Sequence, residues 1–302
     1  MMYPREMVAT LPLAWRARAV DYVELLKPRI MMLVLTTVAV GYVLGATGPV
    51  DVPSLVRVVL GVCLVGGGAA ILNHYVERDL DMRMERTRNR PLPAGRVGSG
   101  EARAVGVACL AVGVGWLWVW VNPLTALLGA GAASVYVFVY TAMKLWTPLN
   151  TLVGAVVGAL PPVMGWAGAT GELSIGAWCL FAVVFAWQLP HFFAIAWYHR
   201  EDYLRAGMKM AGILDASGWT TSLRVTLFCL ALLPVSLLPT VAGTVGMGYL
   251  IAALVLGLVL LSFAIRLMVK RSSRSARSFF LCSVVYLSAL FGSMTLDRLA
   301  GP

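Results

Sequence analysis

The chain has 302 residues, of which 60% are hydrophobic and only 13% are charged, and its mean hydropathy is +0.82. Soluble globular domains carry about 25% charged residues, so this composition excludes that class. It also excludes intrinsic disorder, because a disordered chain lacks enough apolar side chains to bury. The composition predicts an all-α integral membrane protein that crosses the bilayer several times.

Nine apolar segments are long enough to cross a membrane, since about 20 helical residues span the hydrocarbon core. We place them at about 30–49, 54–75, 102–121, 123–143, 150–169, 175–197, 220–240, 246–267 and 278–297. All of the 24 Lys and Arg residues except Arg57 and Arg298 fall on one side of this topology. Because positive residues favour the cytoplasmic side, we expect residues 1–26 to form a polar cytoplasmic arm. We expect one transmembrane domain over 1–302, in the inner (plasma) membrane of a bacterium.

The net charge of +10 follows from these loops, which face anionic lipid, so the expected partner is the bilayer and not nucleic acid. Two loops on the positive side, at about 76–101 and 198–219, mix acidic with basic residues. Loops longer than about 12–15 residues usually carry a functional site. They follow the second and sixth spans, which suggests two quasi-repeated helix groups that each deliver one polar loop to a shared site.

The second span ends in three polar residues spaced four apart, Asn73, Glu77 and Asp81. If the helix continues to Asp81, their side chains form one stripe. Carboxylates this close repel one another unless a cation lies between them, and Mg²⁺ takes oxygen ligands while leaving room for phosphate oxygens. The alternative is that the acids pair with neighbouring arginines on a solvated helix end. Asn73 lies within the apolar span, where polar residues are usually functional, and this favours a magnesium and diphosphate site.

The loop after this stripe carries arginines that are candidates to hold a diphosphate. Arg86 and Arg90 lie in the stretch ERTRNRPLPAG, and Arg96 follows it. Guanidinium groups bind phosphate oxygens in pairs, which suits this role. The alternative is a basic juxtamembrane loop that binds only lipid headgroups.

The sixth span contains Gln188 and His191 one turn apart, with Pro190 between them. Pro190 leaves a backbone carbonyl without its helical partner, which predicts a kink and a polar pocket beside Trp187 and Phe192. His191 is a candidate haem ligand, proton carrier or hydrogen-bond donor to a substrate. The alternative is a hydrogen bond between helices with no role in chemistry.

A second acidic pair, Glu201 and Asp202, follows the sixth span, and Lys209 adds an ammonium group suited to phosphate. Two acidic clusters that face one cavity would hold two Mg²⁺ ions, which neutralise a departing diphosphate. Aromatic side chains would shield the resulting allylic cation from water and stabilise it by cation–π contact.

Three segments carry a resemblance to a known family: the Asn73, Glu77 and Asp81 stripe with ERTRNRPL, TPLN with GALPPVMGW, and WQLPHFFAIAWYHREDYLRAGMKM. Together they resemble the UbiA-type intramembrane prenyltransferases, in recognisable motifs from about Lys27 to Met210. WQxPHF and DYxxAG match the branch that modifies haem. The resemblance implies a UbiA-type bundle of nine helices. It also implies transfer of a farnesyl group from farnesyl diphosphate to a vinyl group of protohaem IX (haem B), with addition of water, to make haem O for terminal oxidases.

The residues and the resemblance together give the expected site. The catalytic set is Asn73, Glu77, Asp81, Asp202 and His191. The Mg²⁺ ligands are Asn73, Glu77, Asp81, Glu201 and Asp202. The substrate-binding set is Arg78, Arg86, Arg90, Arg96, Lys209, Gln188, Trp187 and Tyr203. Many family members have Asp where Glu77 stands, and acids where His199 and Tyr203 stand. The resemblance further implies haem A synthase or oxidase assembly proteins as protein partners.

Two other functions fit parts of the sequence. A prenyltransferase acting on a quinone precursor would share the acidic motifs, but the Gln188 and His191 pair favours haem. A cation-coupled transporter would also have polar groups and broken helices in its spans, with its acids near the middle of the membrane. Here the acids lie at the cytoplasmic ends of their spans, which favours the enzyme.

Overall fold

The computed structural model describes residues 5–300, with side chains from residue 15 onward. These residues form helices and no strand. In chain order the helices are α1 Arg5–Leu25, α2 Pro28–Gly45, α3 Val52–Asp81, α4 Ser99–Trp120, α5 Pro123–Ser134, a π-helical segment Val135–Tyr140, α6 Thr141–Trp146, α7 Asn150–Gly158, α8 Leu160–Thr170, α9 Ile175–Tyr198, α10 Arg200–Arg205, α11 Trp219–Val241, α12 Met247–Lys270 and α13 Ser273–Ala300. Residues 1–4 of the predicted arm and residues 301–302 lie outside the described residues.

Within residues 5–300, nine helical segments are long and apolar enough to cross a membrane, as predicted. One of them, Pro123–Trp146, joins α5, the π-helical segment and α6, and another, Asn150–Thr170, joins α7 and α8. Apolar side chains on the outside, such as Val119 (69% exposed) and Phe138 (73% exposed), suit contact with lipid tails. The second span is longer than predicted, because α3 continues past residue 75 to Asp81 and carries the polar stripe in helical geometry.

Short sequence signals start two of the spans. The Asn122 side chain accepts a hydrogen bond from the backbone N–H of Thr125 at 2.8 Å, with Pro123 in the first turn of α5. Asp51 caps α3 in the same way. Each cap satisfies a backbone donor that the first helical turn leaves without a partner.

Glycines let neighbouring spans approach closely. A Cβ on Gly165 of α8 would lie 2.0 Å from the Val38 carbonyl oxygen of α2, and one on Gly41 would lie 2.0 Å from the Pro162 oxygen. Gly68 of α3 also lies close to α4, since a Cβ there would lie 2.7 Å from the Gly106 oxygen. Small residues at such crossings allow backbone contact that larger side chains would prevent.

The two long polar loops meet at one end of the bundle, which we call the polar end. The C-terminus of α3, the N-terminus of α2 and the whole of the short helix α6 lie there. Met84 from the first loop packs with Ala206 and Met208 from the second in one buried apolar cluster. The two loops therefore cover one region, as the quasi-repeat interpretation expected.

Candidate active site

A polar cavity of about 110 Å³ lies at the polar end, lined by the two loops, α3, the π-helical segment, α6 and the connection before α2. We call it the polar cavity. Its lining residues are Lys27, Glu77, Asp81, Met84, Arg86, Arg90, Tyr140, Lys144, Tyr203, Met208 and Met210.

The predicted stripe on α3 is buried at this cavity. Asn73, Glu77 and Asp81 are 1%, 5% and 1% exposed, and the two acids line the cavity directly. Both Asp81 oxygens accept from Arg90, at 3.1 and 2.9 Å, and Glu77 accepts from Lys144 Nζ at 2.5 Å. Buried carboxylates need such partners, because an isolated charge in an apolar interior is strongly disfavoured.

Lys27 and Lys144 are site residues that the sequence analysis did not single out. Lys27 Nζ donates to Asn73 Oδ1 at 2.6 Å, and Lys144 Nζ lies 4.6 Å from the centre of the Tyr140 ring. Burial lowers the pKa of Lys27 to about 7, although Glu77 acts to raise it. An anion in the cavity would therefore favour its charged form. A lone lysine at the end of an apolar span was the available signal for Lys144.

The predicted arginines divide into two groups. Arg86 and Arg90 line the polar cavity. Arg96 instead binds Asp21 at 2.8 Å and Glu24 at 3.3 Å, and so ties its loop to α1. Arg78 donates to the Tyr75 carbonyl oxygen at 2.8 Å, on the flank of α3. The structure thus brings two of the four predicted arginines to the cavity.

The second acidic motif lies beside the cavity and not inside it. Asp202 accepts from the Glu85 backbone N–H at 3.2 Å and pairs with Arg205, whereas Glu201 is exposed. Burial acts to raise the pKa of Asp202, but Arg205 and the Glu85 N–H outweigh it and leave that pKa below its ordinary value. Asp202 thus joins the two loops as an anion.

Two neighbours of this motif differ in how they take part. Tyr203 lines the cavity. Lys209 has an exposed side chain and contributes through its backbone, whose N–H donates to the Lys144 carbonyl oxygen at 2.6 Å.

The predicted residues of the sixth span do not line the polar cavity. Gln188 donates to the Ala155 carbonyl oxygen at 3.0 Å and points at Gly158 of α7. Trp187 and His191 instead contact Ser283 of α13, at 2.7 and 2.8 Å. α9 continues through Pro190 as one helix. The sequence predicted one site for all of these residues. The structure instead has a polar cavity and a separate cluster between α9 and α13.

The cavity has the groups to hold an anion and a cation together. Asn73, Glu77 and Asp81 offer the hard oxygen donors that Mg²⁺ takes, while two lysines and two arginines offer donors to phosphate. Across the described residues, no three His, Cys, Asp or Glu side chains are grouped closely enough to hold a metal ion by themselves. The residues therefore fit Mg²⁺ that arrives with a diphosphate better than Mg²⁺ alone.

The chain belongs to the UbiA prenyltransferase family, whose model matches residues 34–290. The class is thus an intramembrane prenyltransferase. The chain is 42% identical over 287 residues to the protoheme IX farnesyltransferase of Solibacter usitatus, covering 92% of this chain and 98% of that protein. It is 45% identical over 278 residues to the protoheme IX farnesyltransferase of Anaeromyxobacter dehalogenans, covering 92% and 94%.

A solved UbiA homologue shares the fold. The Archaeoglobus fulgidus protein, in a structure bound to GPP and Mg²⁺, has a TM-score of 0.61 and 18% identity to this chain. The match covers 91% of this chain and 99% of that one. The predicted UbiA-type bundle is confirmed.

Proposed function

We propose that this protein transfers the farnesyl group of farnesyl diphosphate to a vinyl group of protohaem IX, making haem O. The observation that carries the proposal is full-length similarity to curated protoheme IX farnesyltransferases at 42% and 45% identity. The polar cavity supports it, because it places acids, lysines and arginines together at the end of an otherwise apolar bundle.

The charges of the polar cavity suggest how the donor binds. The cations of Lys27, Arg90 and Lys144 contact the oxygens of the α3 stripe. A diphosphate would compete for these cations, which leaves the stripe oxygens free for Mg²⁺. Bound Mg²⁺ would neutralise charge on the departing diphosphate. We propose Asn73, Glu77 and Asp81 as the ligands of this ion, and not Glu201 and Asp202, which lie beside the cavity.

The reaction needs the C1–oxygen bond of farnesyl diphosphate to break, with the electron pair leaving on the diphosphate. The ammonium and guanidinium groups of Lys27, Arg86, Arg90 and Lys144 stabilise that charge. The vinyl π electrons then form a bond to C1, and water adds to the resulting cation with loss of a proton. Tyr140, whose ring already contacts an ammonium group at 4.6 Å, is suited to stabilise the allylic cation.

We assign different roles to the predicted residues that lie outside the cavity. Arg96 and Arg78 contact protein groups, so we propose that they position the first loop and do not bind substrate. Lys209 would position Lys144 through its backbone.

The orientation that we propose has the polar end in the cytoplasm of a bacterium, with the bundle in the inner membrane. The one-sided distribution of Lys and Arg supports it. Haem A synthase or oxidase assembly proteins would then receive the product, and crosslinking in membranes that contain them would test this.

The test is to incubate purified protein with farnesyl diphosphate, Mg²⁺ and either protohaem or a quinone precursor, and to identify the products by mass spectrometry. We expect protohaem to gain a hydroxyethylfarnesyl group, and a chelator to prevent this. Unchanged protohaem together with a prenylated quinone precursor would refute the proposal and leave only the family assignment.

A further inference from the structure

The cluster between α9 and α13 holds one histidine in a fixed orientation. His191 Nδ1 lies 2.8 Å from Ser283 Oγ, and Ser283 is 0% exposed. Trp187, one turn before His191, donates its indole N–H to the Ser283 carbonyl oxygen at 2.7 Å. The ring centres of Trp187 and Phe280 lie 4.8 and 5.0 Å from that of His191. These contacts restrict rotation of the imidazole.

The hydrogen bonds of Ser283 select one tautomer of His191. Ser283 Oγ lies 2.7 Å from the Phe280 carbonyl oxygen, which can only accept, so the hydroxyl proton is used there. Both contacts of Oγ are hydrogen bonds at once only if His191 Nδ1 carries a proton and donates it. A neutral imidazole protonated at Nδ1 has its lone pair on Nε2.

That Nε2 atom is the available ligand nitrogen of the cluster. It has no hydrogen-bond partner among the described residues, and it keeps some accessible area, since His191 is only partly buried. Both ring nitrogens of His74, by contrast, are buried. Trp187 is buried and stacks on the His191 ring, whereas Phe192 and Phe280 beside it are only partly buried and leave apolar surface next to the imidazole.

We propose that His191 Nε2 is the axial ligand of the protohaem iron, and that Ser283 is the positioning residue that keeps this nitrogen free. Histidines that bind metals commonly donate their other ring N–H to a fixed acceptor, as His191 does here. Ligation of the iron would fix the macrocycle by its centre while a vinyl group at its edge reacts. The proposal rests on the proposed function, because protohaem is its ligand.

The experiment is resonance Raman spectroscopy of the purified, full-length protein loaded with ferrous protohaem and no farnesyl diphosphate. We expect the wild-type protein to show an iron–histidine stretching band. His191→Gly should lose that band and regain one with added imidazole, while His199→Gly should keep the wild-type band. Ser283→Ala should shift the band, because loss of the acceptor changes the basicity of the imidazole, and should weaken haem binding about tenfold.

Two outcomes would overturn the proposal: an iron–histidine band that His191→Gly leaves unchanged, or a Ser283→Ala band at the wild-type position. The second keeps the test decisive if His191→Gly does not fold. Product analysis separates this proposal from the function. Haem O formation by a wild-type protein without the band would refute the ligand alone, and the band without haem O formation would refute the farnesyl transfer alone.

Discussion

At the scale of single residues, the polar cavity is a set of buried charges held in pairs. Glu77 pairs with Lys144 and Asp81 with Arg90, and both carboxylates are almost fully buried. Interactions between such groups are stronger than in water, since little solvent screens them. A ligand of high charge density that enters the cavity would have to compete with these pairs.

Asp81→Asn should abolish the dependence of farnesyl diphosphate binding on Mg²⁺, because the variant removes an anionic oxygen donor while keeping the side chain's size. Equilibrium binding of labelled farnesyl diphosphate, with Mg²⁺ or with chelator, measures this. Asp79→Asn is the matched control, since Asp79 lies on the same helix with its side chain 63% exposed. Loss of Mg²⁺ dependence in the control, or its survival in Asp81→Asn, would contradict the assignment.

Lys144→Met should destabilise the protein by about 3 kcal/mol, because it leaves the buried Glu77 carboxylate without its cation. Thermal unfolding in detergent measures the change. The double variant Lys144→Met with Glu77→Gln should recover much of the loss, since it removes the uncompensated charge. Equal stability of the single and double variants would show that the pair is not coupled.

At the scale of elements, the packing of α9 against α7 depends on a glycine in α7. A Cβ on Gly158 of α7 would lie 2.0 Å from Gln188 Oε1, so this glycine makes room for the Gln188 side chain of α9. Gly158→Ala should displace Gln188 from the Ala155 carbonyl oxygen and lower the unfolding temperature. Gly115→Ala, at a site with open space around it, should change that temperature little. Similar unfolding temperatures for both variants would contradict this packing.

Asp215 anchors the second polar loop to the start of α11. It accepts from the backbone N–H groups of Thr221 at 2.8 Å and Gly218 at 3.0 Å. Burial acts to raise the pKa of Asp215, but these hydrogen bonds and one from Ser217 outweigh it, so its pKa lies below the ordinary value of 3.8.

The sign of the pH effect follows from that lowered pKa. The stabilisation is present above the unfolded-state pKa and is lost as pH falls through the lower, folded-state pKa. Asp215→Ala should reduce stability by about 1 kcal/mol at neutral pH and lose part of the protein's sensitivity to acid. Unfolding curves of both proteins at neutral and acidic pH check this, and parallel pH profiles would contradict it.

At the scale of the whole molecule, the orientation that we propose in the membrane rests on the one-sided distribution of Lys and Arg. Arg88 lies on an exposed part of the first polar loop. Arg88→Cys should react with a membrane-impermeant thiol reagent in inverted inner-membrane vesicles and not in intact cells stripped of their outer layers. The unaltered protein, with its five cysteines, is the background control. Labelling in the stripped cells would contradict the proposed orientation and place the polar end on the outer face of the membrane.

The nine-helix bundle could be predicted from sequence because the length of each apolar segment and the positions of Lys and Arg are read directly from the chain. The α3 stripe was likewise predictable, since Asn73, Glu77 and Asp81 depend only on helical spacing. Contacts between distant segments were not: Lys27 reaches Asn73, and Ser283 reaches His191 across 92 positions of the chain. Arg96 looked equivalent to Arg90 in sequence, yet Asp21 and Glu24 of α1 bind it elsewhere. Which partner each of these side chains contacts depends on how distant segments pack together, and a local sequence pattern does not contain that information.

The most direct test of farnesyl transfer at the polar cavity is the rate of haem O formation by three purified proteins: wild type, Asp79→Ala and Asp81→Ala. All three should be folded by circular dichroism and supplied with protohaem, farnesyl diphosphate and Mg²⁺. We expect the wild type and Asp79→Ala to form haem O at similar rates and Asp81→Ala to form none. Haem O formation by Asp81→Ala at the wild-type rate would contradict the assignment of the polar cavity as the active site.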